Sequence, residues 1–204
     1  SKLGLPMEDK LVTALQQAGN TLATSPVMIR STEVQHLKTL RGKTKVRLVQ
    51  MIAGSGLADL GTIQLTPPHD RPYDFTVAGT STTYADMVTT AGLAQIKTYA
   101  DGISPWKPYV ISAKNLDKDG NGQPDDLNND GKWDDRDRQM MPATNLVTNA
   151  HAANLFVHPF DFSSDVSTLA SDFAGDPSKE YQLFYKLGVD GVFSANPADA
   201  NKAR

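Results

Sequence analysis

"VRLVQMI", residues 46–52, is a short apolar run set between Gly42 and a polar stretch that begins at Ala53. Its length and its Val, Leu and Ile content read as a buried strand. Just before it, Thr32 and Gln35 fit a capping box for a helix running to about Leu40 and stopped by Gly42. "PVMIRS", residues 26–31, is the preceding strand. Upstream of that, Pro6 opens a helix with Met7, Leu11, Ala14, Leu15 and Ala18 at helical spacing, closed by Gly19. After residue 52 a polar, Gly-, Pro- and Thr-rich loop occupies residues 53–82, long enough to be a functional lid or mobile insertion. Helical segments follow over residues 84–99, then "ADGISP", a helix around residues 144–153 and the strand "LFVHPF", residues 155–160. Asp176 and Pro177 mark the N-cap and first position of another helix, and "GVDGVFS", residues 188–194, reads as a last buried strand. Repeated strand–helix units predict a parallel sheet with helices outside it, either a (β/α) barrel or a doubly wound sheet. In both, chemistry sits at the carboxyl ends of strands, which singles out residues 30–33, Gln50, Asp101, residues 158–162 and residues 194–196.

The chain has 204 residues, 39% hydrophobic and 21% charged, the values of a folded globular domain. It has no cysteine, which excludes disulfides, thiolate catalysis and Cys-ligated zinc. No apolar run approaches the ~18 residues of a membrane span, and "SKLGLPMEDK" does not read as a signal peptide. The formal net charge is −3 with no basic stripe, so no nucleic-acid partner is expected.

The acidity is concentrated. Residues 117–137 hold eight aspartates against Lys118, Lys132 and Arg136. Two overlapping frames explain the pattern. Asp117, Asp119, Asn121, Asp125 and Asn128 occupy positions 1, 3, 5, 9 and 12 of a loop with Gly122 at position 6. Asp126, Asn128, Asp130, Asp134 and Asp137 do the same around Gly131, with the carbonyls of Gln123 and Lys132 at position 7. This is the ligand spacing of an EF-hand-type Ca²⁺ loop: alternate oxygens converge on one point and the glycine permits the turn. The overlap leaves no room for a helix between the loops and resembles the aspartate-rich calcium repeats of thrombospondin type 3 modules. The competing reading is a solvated acidic linker. Asn or Asp in place of Glu at position 12 predicts weak sites, filled outside the cell, hence a periplasmic or secreted protein.

"LVQMI", "YADGISPWK", "AHAANLFVHPFDF" and "EYQLFYKLGVDGVFSANPADA", in this order, resemble blocks of the glycerophosphodiester phosphodiesterase family. "GLPMEDKLVTALQQAG" looks like the helix that leads into the fifth strand of that family's TIM barrel. The resemblance implies an α/β fold, the C-terminal half of a TIM (β/α)8 barrel with an inserted calcium-binding loop, over residues 1–204; residues 53–82 and 115–139 fall outside the matched blocks. It implies a phosphoric diester hydrolase that releases an alcohol and glycerol 3-phosphate from a glycerophosphodiester, with a divalent cation in the catalytic site. The family's first catalytic histidine stands in a His-Arg-Gly motif, which is missing here. None of His36, His69, His151 and His158 matches either catalytic position. No catalytic residue is therefore assigned, the 204 residues alone are expected to be inactive, and the missing N-terminal half of the barrel, or a companion chain, is the expected partner. Arg30 stands where the family tends to have Gln, Thr32 where it has an aromatic, Ser163 where Arg is frequent, and Ala195 where it has Asp.

Three residues are candidates for substrate contact. Gln50 would be an inward polar group of the barrel, or part of a buried hydrogen-bond network. His158 would form a polar wall facing the phosphodiester, or bond a backbone carbonyl. Phe160 would line the alcohol side, or belong to the core. His151 reads as surface or packing, Asp101 as a turn former, and Lys107 as a lone lysine able to meet phosphate. The alternative function is a non-catalytic calcium-binding half-barrel module.

Overall fold

The computed structural model describes residues 7–204, so the Pro6 helix start lies outside the described residues. Helix α1 (Met7–Gln17) ends as the sequence predicts, with Gly19 in the left-handed region at φ 74°. Its Met7 and Leu11 are exposed, and no residue of the helix is fully buried.

Four parallel strands form the central sheet: β1 (Met28–Ser31), β2 (Arg47–Ile52), β5 (Gly102–Pro105) and β8 (Phe156–Val157). Their spatial order is β1-β2-β5-β8, which follows the chain without reversal. A doubly wound sheet reverses direction at a switch point and covers both faces; an order that only advances, with right-handed crossovers, keeps every helix on one face, as in a barrel. The core agrees. Leu48, Ile52, Ile103 and Val157 point out of one face and pack with Leu37 and Leu40 of α2 (Val34–Arg41), Leu93 and Ile96 of α5 (Thr90–Lys97), Ala150 of α6 (Leu146–Ala152), and Tyr181 and Phe184 of α7 (Pro177–Lys186).

The expected strand at residues 188–194 is reduced to a single Phe162–Ser194 bridge. The segment still runs along β8: Asp190 N–H donates to Val157 O, and Phe193 N–H to Pro159 O. A regular ladder is interrupted, and Gly191 is tucked under the His158 ring, where an added Cβ would lie 3.0 Å from Nε2.

Two other expectations change. Residues 53–82 are not one long loop, because they hold the antiparallel pair β3 (Gly56–Leu57) and β4 (Ile63–Gln64) and helix α3 (Tyr73–Ala78). The Thr32–Gln35 capping box is absent; Glu33 is the N-cap without a side-chain bond, and the Asp74 carboxylate, from α3, accepts the Gln35 N–H at 2.6 Å. The helical segments expected over residues 84–99 are two, α4 (Tyr84–Met87) and α5, each with its own threonine cap, Thr83 and Thr89. Asp176 caps α7 as expected, accepting the Ser178 N–H. The Asp-rich segment is carried on a hairpin, β6 (Ala113–Asn115) with β7 (Arg138–Met140), and the chain ends in α8 (Pro197–Lys202).

Candidate functional site

Alternation along the strands puts Arg30, Ser104, His158 and Phe160 on the face opposite the helices. The Arg30 guanidinium lies 3.7 Å from the centroid of the Phe193 ring and 5.7 Å from that of Phe160. The His158 ring is 4.8 Å from Phe156 and meets Phe193 edge-on at 6.1 Å. Burial lowers the pKa of His158 from its ordinary 6.5, with Arg47 and Arg204 pushing the same way against Asp190, so the ring is neutral at pH 7. Desolvation is also the leading influence on Arg30 and lowers its pKa, while Asp161 opposes it.

Of the three candidates for substrate contact, the structure brings two together. His158 and Phe160 share this face at the strand ends, Phe160 mostly buried with 8% exposed. Gln50 does not join them. It points toward the helix layer and is fully buried: its Nε2 donates to the carbonyls of Thr32 (2.9 Å) and Met51 (2.8 Å), and its Oε1 accepts from Tyr99 Oη (3.1 Å). An amide engaged through both its nitrogen and its oxygen ties the end of β1 and β2 to Tyr99, just past α5, and in this buried position on the helix side it does not face a ligand at the strand ends. Asp101 precedes β5 and so sits at the amino end of its strand; its carboxylate accepts Leu48 N–H and pairs with Arg41 at 2.5 Å. His151 pairs with Asp190 at 2.9 Å, and His36 lies 3.3 Å from Glu8.

Lys107 is not a lone lysine. Its ammonium is 2.7 Å from Glu180 Oε1 in a pair whose side chains are 17% and 3% exposed. Burial raises the Glu180 pKa and the Lys107 charge draws it back, while Oε2 has no partner among the described residues. The pair lines a cavity of about 340 Å³ beside the strand ends, walled by Trp106, Met140, Phe184 and Leu57 and by Asp135 and Arg138 from the foot of the Asp-rich hairpin. Sequence reading missed Glu180 and Phe193, since neither lies in a motif of its own.

The Asp-rich loop repeats one hydrogen-bond pattern with a shift of nine residues. Asp117 accepts the N–H groups of Asn121 and Gly122, and Asp126 those of Asp130 and Gly131. Asp119 accepts Asn121 N–H and Asn121 accepts Gln123 N–H; in the second frame Asn128 accepts Asp130 N–H and Asp130 accepts Lys132 N–H. Gly122 and Gly131 take φ 81° and 74°, the turn that position 6 requires. The frames differ at position 9. Asp125 accepts Lys118 N–H, whereas Asp134 is held by Arg136, whose Nη2 lies 2.6 Å from both Asp130 and Asp134. Asp137 closes the second frame on Leu127 N–H and Asp134 N–H. The carboxylates are thus turned to backbone donors in both frames, and to a protein cation, Arg136, in the second.

Among the described residues no three Asp, Glu or His side chains converge as a metal-ligand set. The catalytic divalent cation that the family generally uses therefore finds no carboxylate cluster at the described strand ends.

The reversal-free parallel sheet, with its helices on one face and polar and aromatic residues on the other, has the strand order of a TIM-barrel-like α/β protein. No family model matches the chain. It is 30% identical over 149 residues to glycerophosphodiester phosphodiesterase GDPD6 of Arabidopsis thaliana, a match covering 72% of this chain and 34% of that protein. To glycerophosphodiester phosphodiesterase GDPDL1 of the same plant it is 31% identical over 127 residues, covering 61% of this chain and 14% of that protein. These matches show that the chain belongs to the glycerophosphodiester phosphodiesterase family. It spans about a third or less of the length of these relatives. Among the described residues no helix is long and apolar enough to cross a membrane.

Proposed function

We propose that the chain is the C-terminal part of a glycerophosphodiester phosphodiesterase barrel, whose whole protein cleaves a glycerophosphodiester to an alcohol and glycerol 3-phosphate. The observation that carries this is the placement of Arg30, His158 and Phe160 on one face of a reversal-free parallel sheet, in a chain whose relatives bear that enzyme name. In this reading the chain supplies a wall of the substrate site. The catalytic histidines and the ligands of the divalent cation come from further strands paired to the outer edge of β1, either in the same polypeptide or in a companion chain. The Asp-rich hairpin binds Ca²⁺ as a structural ion, which suits a periplasmic or secreted protein. The nine-residue repeat of its hydrogen bonds and its two glycine turns support that reading.

The test is hydrolysis of glycerophosphocholine in millimolar Mg²⁺ or Ca²⁺. The chain alone should be inactive. The chain joined to a segment carrying the His-Arg-Gly strand and the metal carboxylates should release glycerol 3-phosphate. Robust turnover by the repurified chain alone would overturn the division of labour, and an inactive joined protein that folds would overturn the activity itself.

A further inference from the structure

Arg30 is a charged side chain held in place without an ion-pair partner among the described residues. It is the third residue of β1, exposed, and its guanidinium lies over the Phe193 ring at 3.7 Å. Among the described residues it forms no ion pair of the kind that engages Arg41, Arg71, Arg136 and Arg138. The ring sits against the guanidinium carbon, and among the described residues none of the Arg30 N–H donors is engaged in a hydrogen bond. A guanidinium plane fixed by an aromatic ring loses less freedom on binding, and its fork matches two oxygens of a phosphate. Its surroundings suit an anion's ester arm: Phe160 at 5.7 Å is apolar and His158, beyond Phe193, is neutral at pH 7. Asp161 is the carboxylate whose charge bears on Arg30; it is exposed, so water and salt screen it.

We propose that Arg30 is a phosphate-anchoring, specificity-determining residue of this face, and that its fixed charge favours a dianionic phosphomonoester over a monoanionic diester. Its place in a reaction rests on the phosphodiesterase reading; the binding itself belongs to the described residues. The consequence for the enzyme is retention of the phosphomonoester product.

The experiment titrates the isotope-labelled chain with inorganic phosphate at about pH 8, where phosphate is mostly dianionic, and separately with dimethyl phosphate, following arginine side-chain Nε–Hε resonances. The Arg30 resonance should move saturably, with phosphate bound at least about threefold more tightly than dimethyl phosphate. Arg30→Gln should weaken phosphate about tenfold, and Phe193→Leu, which keeps the charge but frees the side chain, by about threefold. The proposal is overturned if phosphate moves only the resonances of other arginines, if the diester binds as tightly, or if Arg30→Gln binds like the parent chain. Should Arg30→Gln fail to fold, the Arg30 resonance of the unsubstituted chain decides alone. A joined protein without hydrolysis would leave this binding result standing, so the two readings fail separately.

Discussion

The guanidinium of Arg30 rests 3.7 Å from the Phe193 ring centroid, joining the first strand to the last strand segment across one face. Between them lie β2, β5 and β8. In a flat sheet four inter-strand steps would separate their backbones by about 19 Å. An arginine and a phenylalanine side chain together reach only about 11 Å, and the 3.7 Å gap between them does not close the difference. The sheet must curl toward its inner face. That curvature, with the reversal-free strand order, separates a barrel-like sheet from a doubly wound one.

Lys107→Met should destabilise the chain by about 3–5 kcal/mol at neutral pH, because it strands Glu180 as an unpaired buried charge. The loss should shrink as pH falls, because burial raises the Glu180 pKa above the ordinary 4.5 and removal of Lys107 raises it further, so the folded variant takes up the proton before the unfolded chain does. Adding Glu180→Gln should recover part of the loss. Urea unfolding of both variants across that pH range measures this, and a loss independent of pH would contradict it.

Gly92→Ala would stabilise an ordinary helix by about 1 kcal/mol. Here it should do the reverse, costing about 1–3 kcal/mol, because the new Cβ would lie 2.2 Å from the Asp86 carbonyl oxygen and 2.7 Å from Met87 backbone atoms. The close turn between α4 and α5 leaves no flexible atom to yield. A melting temperature equal to or above that of the parent chain would refute the packing argument.

His158 should make stability fall as pH drops below 6.5. Its folded pKa is lowered, so the unfolded chain takes up the proton first; the stability is present above 6.5 and is lost as pH falls toward the folded value. Comparing denaturant midpoints at about pH 7.5 and about pH 5.5, His158→Gln should show a smaller drop than the parent. Equal drops would mean that other groups carry the dependence.

Calcium should bind the Asp-rich hairpin with Kd on the order of 10⁻⁴–10⁻³ M and stabilise the fold by about 1.4 kcal/mol at roughly tenfold excess over Kd. Asp119→Ala should weaken the first frame. Arg136→Ala should strengthen the second, since it removes the cation that bridges Asp130 and Asp134. Calorimetric titration with and without EDTA tests both; no heat in millimolar Ca²⁺ would leave the hairpin a solvated acidic linker.

What the sequence determined by itself is what depends on neighbouring residues. The strands at β1 and β2, the Asp176 cap, the Gly19 stop and the glycine turns of the acidic loop all follow from spacing and backbone preference within a few positions. What only the tertiary structure decided depends on which distant segments meet. Gln50 was legible as a polar residue in an apolar strand, yet its direction came from the packing of Tyr99, 49 residues away. Asp74 replaced the local capping box of α2 from 39 residues away, and Glu180 reached Lys107 across 73. Arg30 likewise reaches Phe193 only because the sheet curls. A carboxylate or an amide takes whatever donor the folded chain brings within about 3 Å, and the path that brings it is set by the burial of the whole core rather than by the residues beside it.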